Sequence, residues 1–99
     1  MTINIRYVRM DISEALNAYV TARLEKIAKK YEWIIAADVH FERLNDPKGK
    51  GRICKIELSL PGPRIFATAN EKNYEMAVKE TINELIKQLN KRKHIFKTH

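Results

Sequence analysis

Arg52-Ile53-Cys54-Lys55-Ile56-Glu57-Leu58-Ser59-Leu60, closed by Pro61-Gly62-Pro63 and followed by Ile65-Phe66-Ala67-Thr68-Ala69, carries the fold. The alternation is that of half-buried strands, with Cys54, Ile56, Leu58 and Leu60 inward and Ile53, Lys55, Glu57 and Ser59 outward. Pro-Gly-Pro turns the chain, so a fourth strand built on Ile65, Ala67 and Ala69 returns antiparallel to the third. Upstream, Asn45-Asp46-Pro47-Lys48-Gly49-Lys50-Gly51 reads as a loop. It joins the hairpin to a second strand near 34–44, which sets Ile35, Ala37, Val39 and Phe41 inward and His40 and Glu42 outward. Ile3, Ile5 and Tyr7 alternate with Asn4 and Arg6 in a first strand.

Two helices fill the remaining chain. From Ser13 to Tyr31 there is no Gly or Pro, and Leu16, Val20, Leu24, Ile27 and Tyr31 recur at helical spacing behind a cap at Asp11 or Ser13. Asn70 is the expected cap of a last helix running through about Lys93 on Val78, Ile82, Leu85 and Leu89. The order is β-α-β-β-β-α. A crossover helix of this length lets the first two strands run parallel, while the short later links impose antiparallel pairs. The fold class is α+β: a two-layer sandwich, with a four-stranded sheet carrying both helices on one face and the other face open.

The chain has 99 residues, fitting one domain over 1–99, with 94–99 expected as a flexible basic tail. A hydrophobic content of 44% against 31% charged residues describes a globular chain, neither disordered nor membrane-spanning. Cys54 stands alone, which excludes an intramolecular disulfide framework and most zinc sites. No apolar run suits a signal peptide or a membrane span, so the expected compartment is the reduced cytoplasm.

Nineteen Lys+Arg against 12 Asp+Glu give a net charge of +7 and point to a polyanionic partner. The excess is uneven. Residues 32–42 carry −3, residues 43–55 carry +4, and residues 86–99 carry +5 with no acid. At 100° per residue, Arg23, Lys26 and Lys30 fall along one border of the first helix's apolar stripe, beside Tyr19. Glu14, Glu25 and Glu32 fall well away from them. On the last helix Lys72, Lys79 and Lys87 share a border with Asn83, Asn90 and His94; Lys91 lies just past it, among the acids. Lys91, Arg92 and Lys93 also suit the negative end of the helix dipole, and Glu75–Lys79 and Glu84–Lys87 are ordinary helical pairs. Solvated faces explain any one lysine but not the same segregation on both helices. Basic borders with Asn and Tyr nearby can donate to phosphate and ribose oxygens without reading sequence, which marks a nucleic-acid surface.

Catalysis has no candidate residues. His40, His94 and His99 share no ligand spacing, Cys54 occupies an inward strand position, and Gly49-Lys50-Gly51 lacks the strand–loop–helix context of a phosphate loop. No metal, cofactor or small-molecule substrate is expected.

Ile12-Ser13-Glu14-Ala15-Leu16, Tyr19-Val20 and Lys29-Lys30-Tyr31 together resemble the opening helix of the ribosome hibernation-promoting factors, also called ribosome-associated inhibitor or sigma-factor modulation proteins. Ile65-Phe66-Ala67-Thr68-Ala69 and Leu85-Ile86-Lys87-Gln88-Leu89, with the Lys91/Lys93/Lys97 spacing, resemble that family's fourth strand and closing helix. The resemblance spans essentially the whole chain. It implies a domain shaped like double-stranded-RNA-binding domains, which binds the small ribosomal subunit in the mRNA and tRNA channel. Such binding holds idle ribosomes inactive in stationary phase or under stress. It implies rRNA contacts at Arg23 and Lys26 on the first helix and at Lys87, Lys91 and Lys93 on the last. The chain departs from the family at Ala77-Val78-Lys79, where an acidic residue is usual, so Lys79 joins the basic border by position and not by inheritance. The span resembles the family's short form, without the C-terminal domain that pairs two ribosomes.

The expected rRNA-binding set is therefore Arg23, Lys26, Lys30, Lys79, Lys87, Lys91, Arg92 and Lys93, on a non-enzymatic protein that is monomeric when free. Two alternatives stand beside it: a double-stranded-RNA-binding module acting off the ribosome, and a protein-interaction module pairing through the open sheet face around Phe66 and Ile53.

Overall fold

Three rows of four side chains cross the inner face of the sheet. They are Ile3–Ala37–Leu58–Ile65, Ile5–Val39–Ile56–Ala67 and Tyr7–Phe41–Cys54–Ala69, set by a parallel β1–β2 register and antiparallel β2–β3 and β3–β4 registers. The computed structural model describes residues 1–97, with elements β1 (Thr2–Val8), α1 (Glu14–Lys30), β2 (Ala36–Arg43), β3 (Arg52–Ser59), β4 (Ile65–Glu71) and α2 (Tyr74–Lys97). The strand order is β1-β2-β3-β4. The α+β sandwich, the element order and each strand direction follow the alternation and link lengths of the sequence.

Both helices close the inner face. Leu16, Val20, Leu24, Ile27 and Tyr31 of the first stripe and Ala77, Val78, Ile82, Leu85 and Leu89 of the second join the inward strand residues in one buried cluster. Alanines at 37, 67 and 69 keep that face shallow. Thr81 is the buried polar side chain of the core; its hydroxyl donates to the carbonyls of Ala77 at 2.8 Å and Cys54 at 3.3 Å, so its burial leaves nothing unpaired.

The α1 cap is Ser13, whose Oγ accepts from the Leu16 N–H at 3.2 Å, with Glu14 in the first turn and Lys29 and Lys30 in the last. Ser13→Ala is expected to cost about 1 kcal/mol of unfolding free energy, measured by denaturant titration. Ser13→Asp, which restores an acceptor, is expected to recover most of it.

Four local expectations are corrected. Asn70 does not cap α2: it still pairs with Ile53 in β4, and its side chain accepts from the Gly51 N–H at 2.7 Å. The cap is Asn73, which accepts from the Met76 N–H at 2.8 Å. Gly51 itself tolerates no side chain, because a Cβ there would lie 2.2 Å from the Leu44 carbonyl oxygen. Ile35 precedes β2 and is 62% exposed; Ile34 turns inward from the α1–β2 link and takes the core position. Ile53 faces the open side but is buried, because its central strand flanks it with Glu42 and Asn70. That leaves Phe66, 52% exposed, as the remaining member of the proposed apolar pair on the open face. Finally, α2 runs through Lys97, so residues 94–97 are helix and not a tail. Thr98 and His99 of the expected tail lie outside the described residues.

Candidate nucleic-acid interface

The basic border of α1 faces α2 across a groove. A cleft of about 240 Å³ is lined by Arg23, Lys26 and Lys30 on one wall and by Ile82, Asn83 and Ile86 on the other, with Ile27 and Tyr31 also lining it. No carboxylate lines it. Arg23 is half-buried and its guanidinium lies 4.8 Å from the centre of the Tyr19 ring, a cation–π contact that restricts the side chain while leaving its donors free. A guanidinium held this way presents a flat fork of N–H groups suited to two phosphate oxygens at once. Lys26 and Lys30 add exposed ammonium groups, and the Asn83 amide can bond either phosphate or ribose.

Tyr31 ties the two helices together at the C-terminal end of the groove. Its hydroxyl donates to Asn90 Oδ1, and its ring carries Lys30 Nζ at 5.5 Å and Lys93 Nζ at 5.8 Å. One buried ring thus gathers a lysine from each helix. The sequence marks Tyr31 as a core residue, which it is; only the structure shows it also gathering Lys30 and Lys93.

The remaining expected contacts divide. Lys79, Lys87 and Lys91 are exposed on α2 and do not line the groove; Lys87 Nζ lies 3.9 Å from Glu84, the predicted i,i+3 pair, at the loose end of ion-pair distance. Arg92 points elsewhere. Its guanidinium donates to the carbonyls of Pro61 and Pro63, each at 2.8 Å, so it fastens α2 to the β3–β4 turn. Helical angle could not reveal this, because those acceptors are backbone groups of a distant turn.

The groups that would carry chemistry are quiet. Among the described residues no three His, Cys, Asp or Glu side chains cluster to hold a metal. Glu42 is held below the usual carboxylate range by its hydrogen bond with His40, with Arg9 adding to the effect. Burial pushes the Cys54 thiol up to about 12, against a hydrogen bond with Thr81 that acts the other way. A thiol reagent is therefore expected to leave native protein unmodified at neutral pH and to label it on unfolding. The sign of the linkage follows. The folded thiol keeps its proton to higher pH than the unfolded one, whose pKa is 9.0. The stability it contributes is complete below pH 9 and declines as pH rises toward 12. Cys54→Ala is expected to lose that part of the alkaline decline.

Among the described residues no helix is long and apolar enough to cross a membrane. The Sigma 54 modulation protein / S30EA ribosomal protein family model matches residues 3–97. The ribosome-associated factor Y of Haemophilus influenzae is 31% identical over 96 residues, covering 95% of this chain and 84% of the relative. A ribosomal subunit interface protein from Coxiella burnetii superposes with a TM-score of 0.83 at 29% identity, over 95% of this chain and 99% of that one. The N-terminal domain of Thermus thermophilus Protein Y shares the fold, with a TM-score of 0.78 at 20% identity over 92% of this chain and 98% of that one. With a family model covering residues 3–97 and a 31% identical relative matched over 84% of its length, the chain belongs to the Sigma 54 modulation protein / S30EA ribosomal protein family.

Proposed function

We propose that this protein is a cytoplasmic ribosome hibernation factor that seats the α1–α2 groove on rRNA of the small subunit and so blocks the mRNA and tRNA channel. The observation that carries the reading is the acid-free groove, in which Arg23, Lys26 and Lys30 face Asn83 and Lys93 joins at Tyr31. Family membership and the ribosome-associated names of the relatives support ribosomes as the source of the RNA. Lys79, Lys87 and Lys91 extend the basic surface over the exposed side of α2, and Arg92 serves the turn. The protein acts by occupying a site and performs no catalysis. It binds as a monomer.

A stationary-phase lysate resolved on a sucrose gradient tests the reading: the protein travels with ribosomes and small subunits. Retention at the top of the gradient would refute it. Competition between small subunits and a plain RNA duplex then separates this function from a general duplex binder. Small subunits are expected to win at equal phosphate concentration, and parity would favour action off the ribosome.

A further inference from the structure

A like-charge pair sits where β2 and β3 enter their connecting loop. Arg43 and Arg52 are direct partners in the antiparallel register, an arrangement that destabilises a sheet. Both also lie near the start of α2, where cations are disfavoured by the helix dipole. The Tyr74 hydroxyl reports their position: burial raises its pKa, and Arg52 and Arg43 are the charges that pull it down. Neither guanidinium belongs to an ion pair among the described residues, which pair Arg9 and His40 with Glu42, Arg64 with Glu57, and Lys87 with Glu84. Glu71 stands opposite Arg52 across β3–β4, yet the two form no ion pair among the described residues; Glu71 instead holds the neighbouring Glu80 carboxyl above the usual range, against the pull of Lys50.

Arg9 completes the corner. It adopts φ 58°, a left-handed conformation uncommon for a residue with a side chain. Arg9, Arg43, Leu44 and Asn45 line a cleft of about 470 Å³ that shares no residue with the helix groove. The loop beyond is fixed: Asp46 Oδ1 accepts from the Lys48 N–H at 2.9 Å, and the Leu44 N–H donates to Gly51 O at 2.9 Å. Lys48 and Lys50 are therefore presented on an ordered turn.

We propose that Arg9, Arg43 and Arg52, with Lys48 and Lys50, form a second phosphate-binding site that grips an RNA backbone segment separate from the one in the helix groove. The inference rests on the proposed small-subunit function. Guanidinium forks suit phosphate oxygens, and contacts to phosphate fix position along a backbone without reading sequence. Glu42 already holds Arg9, so an RNA strand laid there would supply counter-charge to Arg43 and Arg52, which form no ion pair among the described residues.

The test compares binding of purified small subunits by wild type, by an Arg43→Gln/Arg52→Gln double variant, and by the groove variant Arg23→Glu/Lys26→Glu. The arginine double variant relieves repulsion, so it is expected to melt at or above the wild-type temperature. It is expected to bind about 10-fold more weakly at low salt. Its slope of log affinity against log salt should be shallower by about 1.4–1.8, for two phosphates no longer neutralised. Wild-type affinity and slope in this variant, while the groove variant loses binding, would overturn the second site alone. A wild-type protein that ignores small subunits would overturn the underlying function and this site with it. A photoreactive maleimide on Asn45→Cys identifies the occupant, since Cys54 is buried and stays unlabelled. Transfer to rRNA supports the site, and transfer only to ribosomal protein overturns the RNA assignment.

Discussion

Reversing Arg23, Lys26 and Lys87 to glutamate is expected to weaken small-subunit binding by at least about 100-fold, with the fold intact. Each lost charge-assisted contact is worth roughly 1 kcal/mol or more, so three lost together exceed two orders of magnitude before any new repulsion is counted. The salt slope should flatten by about 2–3, one increment for each phosphate no longer neutralised. The chain's net charge falls from +7 to +1, because three basic residues are lost and three acidic ones gained. A general loss of attraction must therefore be separated from loss of a site. Lys29→Glu provides the control. Lys29 is exposed on α1 and belongs neither to the groove nor to the basic side of α2 that Lys87 extends, so its reversal should change affinity only a few-fold. None of the three reversed residues belongs to the buried cluster, so circular dichroism and melting temperature are expected to stay close to wild type. Retained affinity in the triple variant would refute the groove as the binding surface.

Truncating Phe41 to alanine is expected to remove about 3–5 kcal/mol of unfolding free energy, a large share of the 5–15 kcal/mol typical of such domains. Phe41 is fully buried in the middle of β2, stacked on Tyr7 at 5.4 Å and edge-on to Tyr74 at 5.8 Å. Those two tyrosines hold the sandwich at this end. The Tyr7 hydroxyl donates to Ser13 O at 2.9 Å and meets Asn17 Oδ1 at 2.7 Å, while the Tyr74 hydroxyl donates to Glu42 O at 3.3 Å. Removing the ring therefore opens a cavity and loosens the supports of both helix N-termini. Phe41→Leu, which keeps most of the volume, should cost well under half as much. Urea titration checks both, and a loss below about 1 kcal/mol for the alanine variant would contradict this packing role.

Much of the fold was legible because its signals are periodic. Alternation at Cys54, Ile56 and Leu58 fixed the inner face of β3, and the spacing of Leu16, Val20, Leu24 and Ile27 fixed the buried side of α1. Signals carried by a single residue were weaker. Asn70 and Asn73 are equally good caps by type, and the choice between them was made by Gly51, which claims the Asn70 side chain. The site was half-legible for a related reason. Helical angle placed Arg23, Lys26 and Lys30 on one border but could not say what that border faces. Arg92 illustrates the limit: its partners are carbonyls of the 61–63 turn, which no side-chain pattern announces. The opposed arginines at 43 and 52 become visible as a conflict only once the β2–β3 register is known.

Sedimentation of purified protein with purified small subunits across a series of salt concentrations tests the central claim most directly. The groove predicts co-sedimentation at low salt, lost as salt rises, with log affinity falling by about 0.7–0.9 per log salt for each phosphate neutralised. With Arg23, Lys26, Lys30 and Lys93 engaged, the slope should reach about 3 or steeper. Protein that stays at the top of the gradient at low salt, or that co-sediments equally at all salt concentrations, would contradict an rRNA-binding groove.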